Sequence, residues 1–153
     1  MIIAFCGHSS YIANVEDEAQ LSLLLEKVAH GQQVDFYLGG YGGFDSFALS
    51  CAQKYKKAHQ DAKLIYITPY LDRCWRARET ILYTMYDEIL YPPLESVPQR
   101  FSILKRNEWI VNQADDLFGY VQAHSGGAYK MLLYAHKRKK PYINLYQGNF
   151  QLY

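Results

Sequence analysis

The chain reads as an α/β protein, a three-layer sandwich with helices on both faces of a mostly parallel sheet. Three observations predict this. Apolar runs of strand length alternate with segments of helical periodicity along the whole sequence, and that alternation argues for parallel strands joined by helical crossovers. Runs such as Leu64-Ile65-Tyr66-Ile67 and Leu117-Phe118-Gly119-Tyr120-Val121 are apolar without strict alternation, as strands covered on both faces are. Glycine clusters stand twice between a strand-like and a helix-like run, at 39–43 and at 126–127.

Residues 2–6 form the first expected strand. A helix over 16–30 follows, with Asn14 as its N-cap, acids in its first turn and Gly31 as its stop. Residues 33–38 read as strand, 44–58 as helix and 63–68 as strand. The stretch 69–81 is less regular, with a short helix from about 75 to 86. Residues 87–91 form a short strand closed by Pro92-Pro93, 98–113 a helix, 116–121 a strand, 127–139 a helix and 142–146 a strand, with a tail over 147–153.

A length of 153 residues fits one domain over 1–153 with a real core. A net charge of +1 gives no global case for nucleic acid or an anionic membrane, so a nucleic-acid partner is not expected. The basic run His136-Lys137-Arg138-Lys139-Lys140 suits the last turn of a helix. No apolar stretch reaches the ~18 residues of a membrane span, and residues 1–7 lack the features of a signal peptide. Cys6, Cys51 and Cys74 share no metal-ligand spacing, so free thiols, a cytoplasmic location and no metal site are expected. The 15 tyrosines offer stacking surfaces for bases, or amphipathic core and rim positions. Trp75, Tyr83 and Tyr86 are candidates for a homo-oligomer face, which core burial explains equally well.

In parallel sheets ligands bind beyond the carboxyl ends of the strands, so functional residues should follow strands. Gly7-His8-Ser9-Ser10 follow the first, with hydroxyls and a ring N–H suited to phosphate or ribose. The cluster Gly39-Gly40-Tyr41-Gly42-Gly43 follows the second, where bare backbone N–H groups at a helix start favour an anion. The spacing is neither GxGxxG nor a Gly-Lys-Ser/Thr loop. Asp45 can cap that helix or take a ribose hydroxyl. Ser125-Gly126-Gly127-Ala128 repeat the pattern after the fifth strand, with Ser125 able to cap. On the helix over 98–113, Asn107 interrupts the apolar stripe of Ile103, Ile110, Val111 and Ala114. Arg106 and Arg100 can bind phosphate bidentately, and Arg106 can equally be a solvated charge.

Taken together, Gly39-Gly40-Tyr41-Gly42-Gly43-Phe44-Asp45 with Ala48 and Ala52, Lys105-Arg106-Asn107-Glu108-Trp109-Ile110-Val111 with Ala114-Asp115, Gly126-Gly127-Ala128 and the opening Gly7-His8 resemble the ordered motifs of the SLOG superfamily, nearest its YpsA-like branch, over about 1–146. The resemblance implies a Rossmann-like fold and a pocket for a nucleotide or nucleotide derivative, such as an NAD- or ADP-ribose-like molecule. The related Lonely Guy phosphoribohydrolases carry a Pro-Gly-Gly-x-Gly-Thr run with a glutamate soon after. Here Ser125-Gly126-Gly127-Ala128-Tyr129 has no proline, no further glycine and no glutamate within reach, so the carboxylate that supports sugar–base cleavage is missing. The DNA-processing protein A family shares a glycine loop like Gly43-Phe44-Asp45, but the balanced charge argues against tight DNA binding.

The expected function is therefore binding or sensing of a nucleotide-type small molecule through two glycine turns, with no cofactor required. A nucleotide N-glycosidase, with Asp45, Glu79 or Glu108 as its carboxylate, is the first alternative. A single-stranded nucleic-acid module using Lys137 to Lys140 is the second.

Overall fold

The computed structural model describes residues 1–152; the end of the expected tail, Tyr153, lies outside the described residues. Six strands, β1 (Ile2–Gly7), β2 (Asp35–Leu38), β3 (Lys63–Ile67), β4 (Glu88–Leu90), β5 (Asp116–Tyr120) and β6 (Tyr142–Asn144), form one sheet in the order β4-β3-β2-β1-β5-β6. Every adjacent pair is parallel. The connecting helices are α1 (Val15–Ala29), α2 (Gly42–Ala58), α3 (Trp75–Leu82), α4 (Ser102–Gln113) and α5 (Gly126–Lys137). The chain builds outward from β1 to β4, and α4 then carries it back to the far side of β1. Strand order thus reverses between β1 and β5, which is where such folds bind ligands.

The period-two alternation of strands divides the core. Ile3, Phe5, Phe36 and Leu38 meet Leu21 and Leu25 of α1 and Phe44, Ala48 and Cys51 of α2 on one face. Ala4, Cys6, Ile65 and Ile67 meet Ile110 and Val111 of α4 and Met131 and Leu132 of α5 on the other. Both faces are dry, which is why the strands read as unbroken apolar runs.

Helix ends follow the local chemistry. The Asn14 side chain accepts from the Asp17 N–H at 2.8 Å, capping α1. His30 closes that helix with φ 47, one residue before the expected Gly31 stop. The basic run sits at the end of α5, and Lys140 Nζ donates to the Asn112 and Ala114 carbonyls, both at 3.0 Å, which closes the C-terminal end of α4.

Several bounds shift: α4 begins at Ser102 rather than 98, behind a 3-10 turn over Gln99–Phe101, and two further shifts have a clear cause. α3 ends at Leu82 rather than near 86, and Tyr86 beyond it is buried at 5% exposure with its ring 5.2 Å from that of Tyr66. Core contact thus withdraws Tyr86 from any oligomer face. α2 begins at Gly42, two residues earlier than read, because its first turn lies directly on the loop after β1. The Gly43 N–H donates to the Ser9 carbonyl at 2.8 Å and the Phe44 N–H to the His8 carbonyl at 3.3 Å. A Cβ on Gly43 would stand 2.1 Å from the Tyr11 carbonyl oxygen, and one on Gly42, at φ 88, would stand 2.6 Å from the Ser9 Cα.

Replacing Gly43 with Ala forces backbone to move, so Gly43→Ala should cost about 2–3 kcal/mol in urea denaturation. Gly31→Ala, at φ 79 with nothing within 4 Å of the added Cβ, should cost only about 1 kcal/mol. Equal losses would contradict the close approach of α2 to the loop.

Candidate functional site

A cleft of about 680 Å³ opens at the carboxyl ends of β1, β2 and β3, across the strand-order reversal. That size suits a small organic ligand. Its floor comes from Gly7, His8 and Ser9 at the end of β1, Gly39 and Gly40 after β2, and Tyr66 and Tyr70 at the end of β3. α4 contributes Ile103, Arg106 and Asn107, α5 its opening Gly126, Gly127 and Ala128, and α3 a wall of Arg78, Ile81 and Leu82.

Arg106 sets the electrostatics. It is 5% exposed, so its reading as a solvated charge is corrected. The residue that breaks the apolar face of α4 inside the core is Arg106; Asn107 is only half-buried and Ile103 is 50% exposed. Arg106 Nη1 donates to the Ile67 carbonyl at 2.8 Å and the Gly39 carbonyl at 3.3 Å, and its Nε donates to Asn107 Oδ1 at 2.9 Å. Among the described residues no carboxylate lies within 4.0 Å of it. Burial lowers its pKa, and the Asp45 charge opposes that.

Asp45 also stands beside Gly39, where an added Cβ would come within 3.2 Å of Asp45 Oδ2 and 3.4 Å of both terminal Arg106 nitrogens. Its carboxylate accepts from the Tyr41 N–H at 2.8 Å. Burial raises its pKa to about 6, against the opposing pull of the Tyr41 N–H and of Arg106.

His8 Nε2 receives the Gln122 N–H at 3.0 Å and the Ala123 N–H at 3.3 Å. Two donors on one ring nitrogen assign the proton to Nδ1. Burial lowers the pKa of His8. The Asn144 side chain accepts from the Val121 N–H at 3.0 Å and donates to the Val121 carbonyl at 2.8 Å. His8 and Asn144 therefore anchor the loop that delivers the second glycine turn.

The two glycine turns differ. At the start of α2, Gly42 and Gly43 lie outside the cleft lining, and the loop after β1 takes the Gly43 and Phe44 N–H groups. Their expected place in a ligand cradle gives way to close contact with that loop, leaving Gly39 and Gly40 on the cleft. At the start of α5, no acceptor among the described residues takes the N–H groups of Gly126, Gly127 or Ala128. Ser125 occupies the N-cap position, but its side chain makes no capping bond and does not line the cleft, contrary to expectation.

Of the candidate carboxylates only Asp45 lines the cleft. Glu108 pairs with Lys105 at 2.9 Å, and Glu79 lies off the lining on α3. Arg100 rests over the Phe101 ring at 4.8 Å, away from the cleft. The sequence reading passed over Tyr66, Tyr70, Arg78, Ile81 and Leu82. Tyr66 and Tyr70 bracket the end of β3, so the same strand-end test finds them; the irregular stretch after β3 hid Arg78. Among the described residues no cluster of His, Cys, Asp or Glu can hold a metal ion, and no helix is long and apolar enough to cross a membrane.

The sequence matches no protein-family model and no curated protein. Solved structures do share its architecture. DNA processing protein A from Helicobacter pylori, described with its single-stranded DNA binding mode, is 18% identical with a TM-score of 0.61, over 93% of this chain and 63% of that one. The Streptococcus pneumoniae DNA processing protein A is 14% identical with a TM-score of 0.58, over 92% of this chain and 48% of its own. The structural genomics target TM1055 is 15% identical with a TM-score of 0.56, over 92% and 71%. The chain thus spans less than two thirds of either DNA processing protein. These likenesses show a shared Rossmann-like fold, here with a fully parallel sheet.

Two opposite pH dependences follow. Asp45 binds its proton more tightly when folded, so its contribution falls as pH rises from 3.8 to about 6. Asp45→Asn, whose amide oxygen can still accept from Tyr41, should gain stability relative to the native chain across that window. His8 binds its proton less tightly when folded, so its contribution is present above 6.5 and is lost as pH falls below that value toward its lower native pKa. The deficit of His8→Ala in thermal melts should be largest above that value and shrink in acid. Deficits flat with pH would contradict both assignments.

Proposed function

We propose that the cleft binds a phosphorylated, nucleotide-type small molecule. One observation carries the reading: the open start of α5 and the buried Arg106 face one cleft, and among the described residues no acceptor takes the α5 N–H groups and no carboxylate lies within ion-pair reach of Arg106. A helix start with free N–H groups and a guanidinium are each complementary to phosphoryl oxygens. Gly127 supports this. An added Cβ there meets nothing within 4 Å, and alanine would favour the helix by up to about 1 kcal/mol. Neither contacts nor helix stability call for glycine at this position, whereas a ligand approaching the backbone does. The rings of Tyr41, Tyr66 and Tyr70 give a base flat apolar surface, and Ser9 and Asn107 give sugar hydroxyls polar partners. Placement in the YpsA-like branch belongs to this same reading, as does an NAD- or ADP-ribose-like ligand. Glycosidic cleavage is less well supported, since Asp45 is the one candidate carboxylate on the cleft and such chemistry uses a pair.

A second reading is single-stranded DNA, which the shared fold with DNA processing protein A favours over the charge-based expectation against nucleic acid. It would use the cleft rather than Lys137 to Lys140. That run lies at the far end of α5, about 18 Å from its start for 12 residues.

A thermal-shift panel of nucleoside mono- and diphosphates, NAD, ADP-ribose and a short single-stranded oligonucleotide distinguishes the readings. The small-molecule reading expects a nucleotide to raise Tm, Arg106→Gln to weaken it about tenfold or more, and Gly127→Ala to weaken it several-fold without loss of stability. Response to the oligonucleotide alone, with steep salt dependence, would transfer the cleft to DNA.

A further inference from the structure

The cleft has a second cation. Arg78 on α3 lines it together with Arg106 on α4. Both guanidiniums lower the proton affinity of the Tyr66 hydroxyl, against the larger upward push of burial, so both converge on the end of β3. Trp75 and Tyr70 hold the Arg78 plane, with its guanidinium carbon 5.6 and 5.9 Å from their ring centres. Its Nη2 donates to Asp72 at 3.0 Å, in a pair whose side chains are 37% and 38% exposed, and a pair that exposed is readily exchanged for another anion. The Arg78 Nε–H is buried and has no acceptor among the described residues, although buried donors are nearly always paired. Against two guanidiniums the lining sets a single carboxylate, Asp45.

We propose that Arg78 and Arg106 together clamp a second phosphoryl group, so that the ligand of this cleft carries two. One phosphoryl group lies at the start of α5 and the other between α3 and α4, as a nucleoside diphosphate or bisphosphate allows. This rests on the nucleotide reading of the cleft and adds to it the charge of the ligand. The Arg78 guanidinium and the Arg106 Nη2, which has no acceptor among the described residues, can donate to the oxygens of one phosphoryl group, and the two cations balance its two charges, while the α5 turn, on a separate element, remains for the other. α3 buries no residue, so this wall is free to be shaped by recognition.

Isothermal titration of the full chain with AMP, ADP, adenosine 3′,5′-bisphosphate and inorganic pyrophosphate tests the inference. One of the two-phosphate nucleotides should bind at least about tenfold more tightly than AMP. Arg78→Gln should abolish that preference while AMP affinity stays within about threefold, and Arg78→Lys should keep part of it. If Arg78→Gln does not fold, Arg78→Lys carries the comparison, since an ammonium cannot restore the fork. AMP bound as tightly as both two-phosphate nucleotides would overturn the inference and leave the nucleotide reading standing. So would an Arg78 substitution that weakens AMP and its rivals equally. If pyrophosphate and every nucleotide of the panel fail to bind, both readings fall.

Discussion

A guanidinium at 5% exposure has to be held by acceptors, and the choice of acceptors for Arg106 organises the cleft. Its nitrogens draw on the Ile67 carbonyl at the end of β3, the Gly39 carbonyl at the end of β2, and the neighbouring Asn107 on α4. One side chain thus joins two strand ends to a helix that arrives from a later part of the chain. These acceptors are neutral. They take three of the five guanidinium hydrogens and leave the charge uncompensated apart from Asp45, whose own ionisation burial opposes. The result is a positive centre inside a largely apolar cleft, at the point in a parallel sheet where strand order reverses.

The two glycine turns answer different physical demands. The first is an assembly device: α2 must start against the loop after β1, and only residues without side chains let the two backbones meet at hydrogen-bond distance. The Gly43 and Phe44 N–H groups are spent in doing so. The second is held from behind, by His8 and Asn144 on the preceding loop, and its own N–H groups are left to the cleft. Similar local sequence therefore gives a structural joint in one place and an anion-receptive helix start in the other.

The secondary structure was largely legible. Alternation of apolar runs with amphipathic segments implied all six strands and five helices, because burial on both faces imposes that pattern. Helix ends were legible where a side chain acts locally, as Asn14 does, and not where a distant backbone decides, as at Gly42. In the cleft, residues directly after strands were identifiable from position alone: Gly7, His8, Ser9, Gly39, Gly40, Gly126 and Gly127 all line it. Arg78 was not, since the stretch after β3 carries no periodicity that points a side chain inward. Arg106 and Asn107 were named together, but neighbours on a helix point 100° apart, and only contact with β2 and β3 shows which of them the core encloses.

By itself the sequence determined an α/β architecture, the order of its elements and the sheet edge where a site would form, because those follow from local periodicity and from residues adjacent in the chain. It did not determine which glycine turn stays open, that Arg106 is buried without a carboxylate within ion-pair reach, or that Arg78 faces the same cleft. Those depend on which backbone carbonyl meets which N–H or guanidinium across long separations in sequence, 67 residues in the case of Arg106 and Gly39. Only the folded sheet brings such partners within 3 to 4 Å, and that proximity decides whether a polar group is used by the protein or left for a ligand.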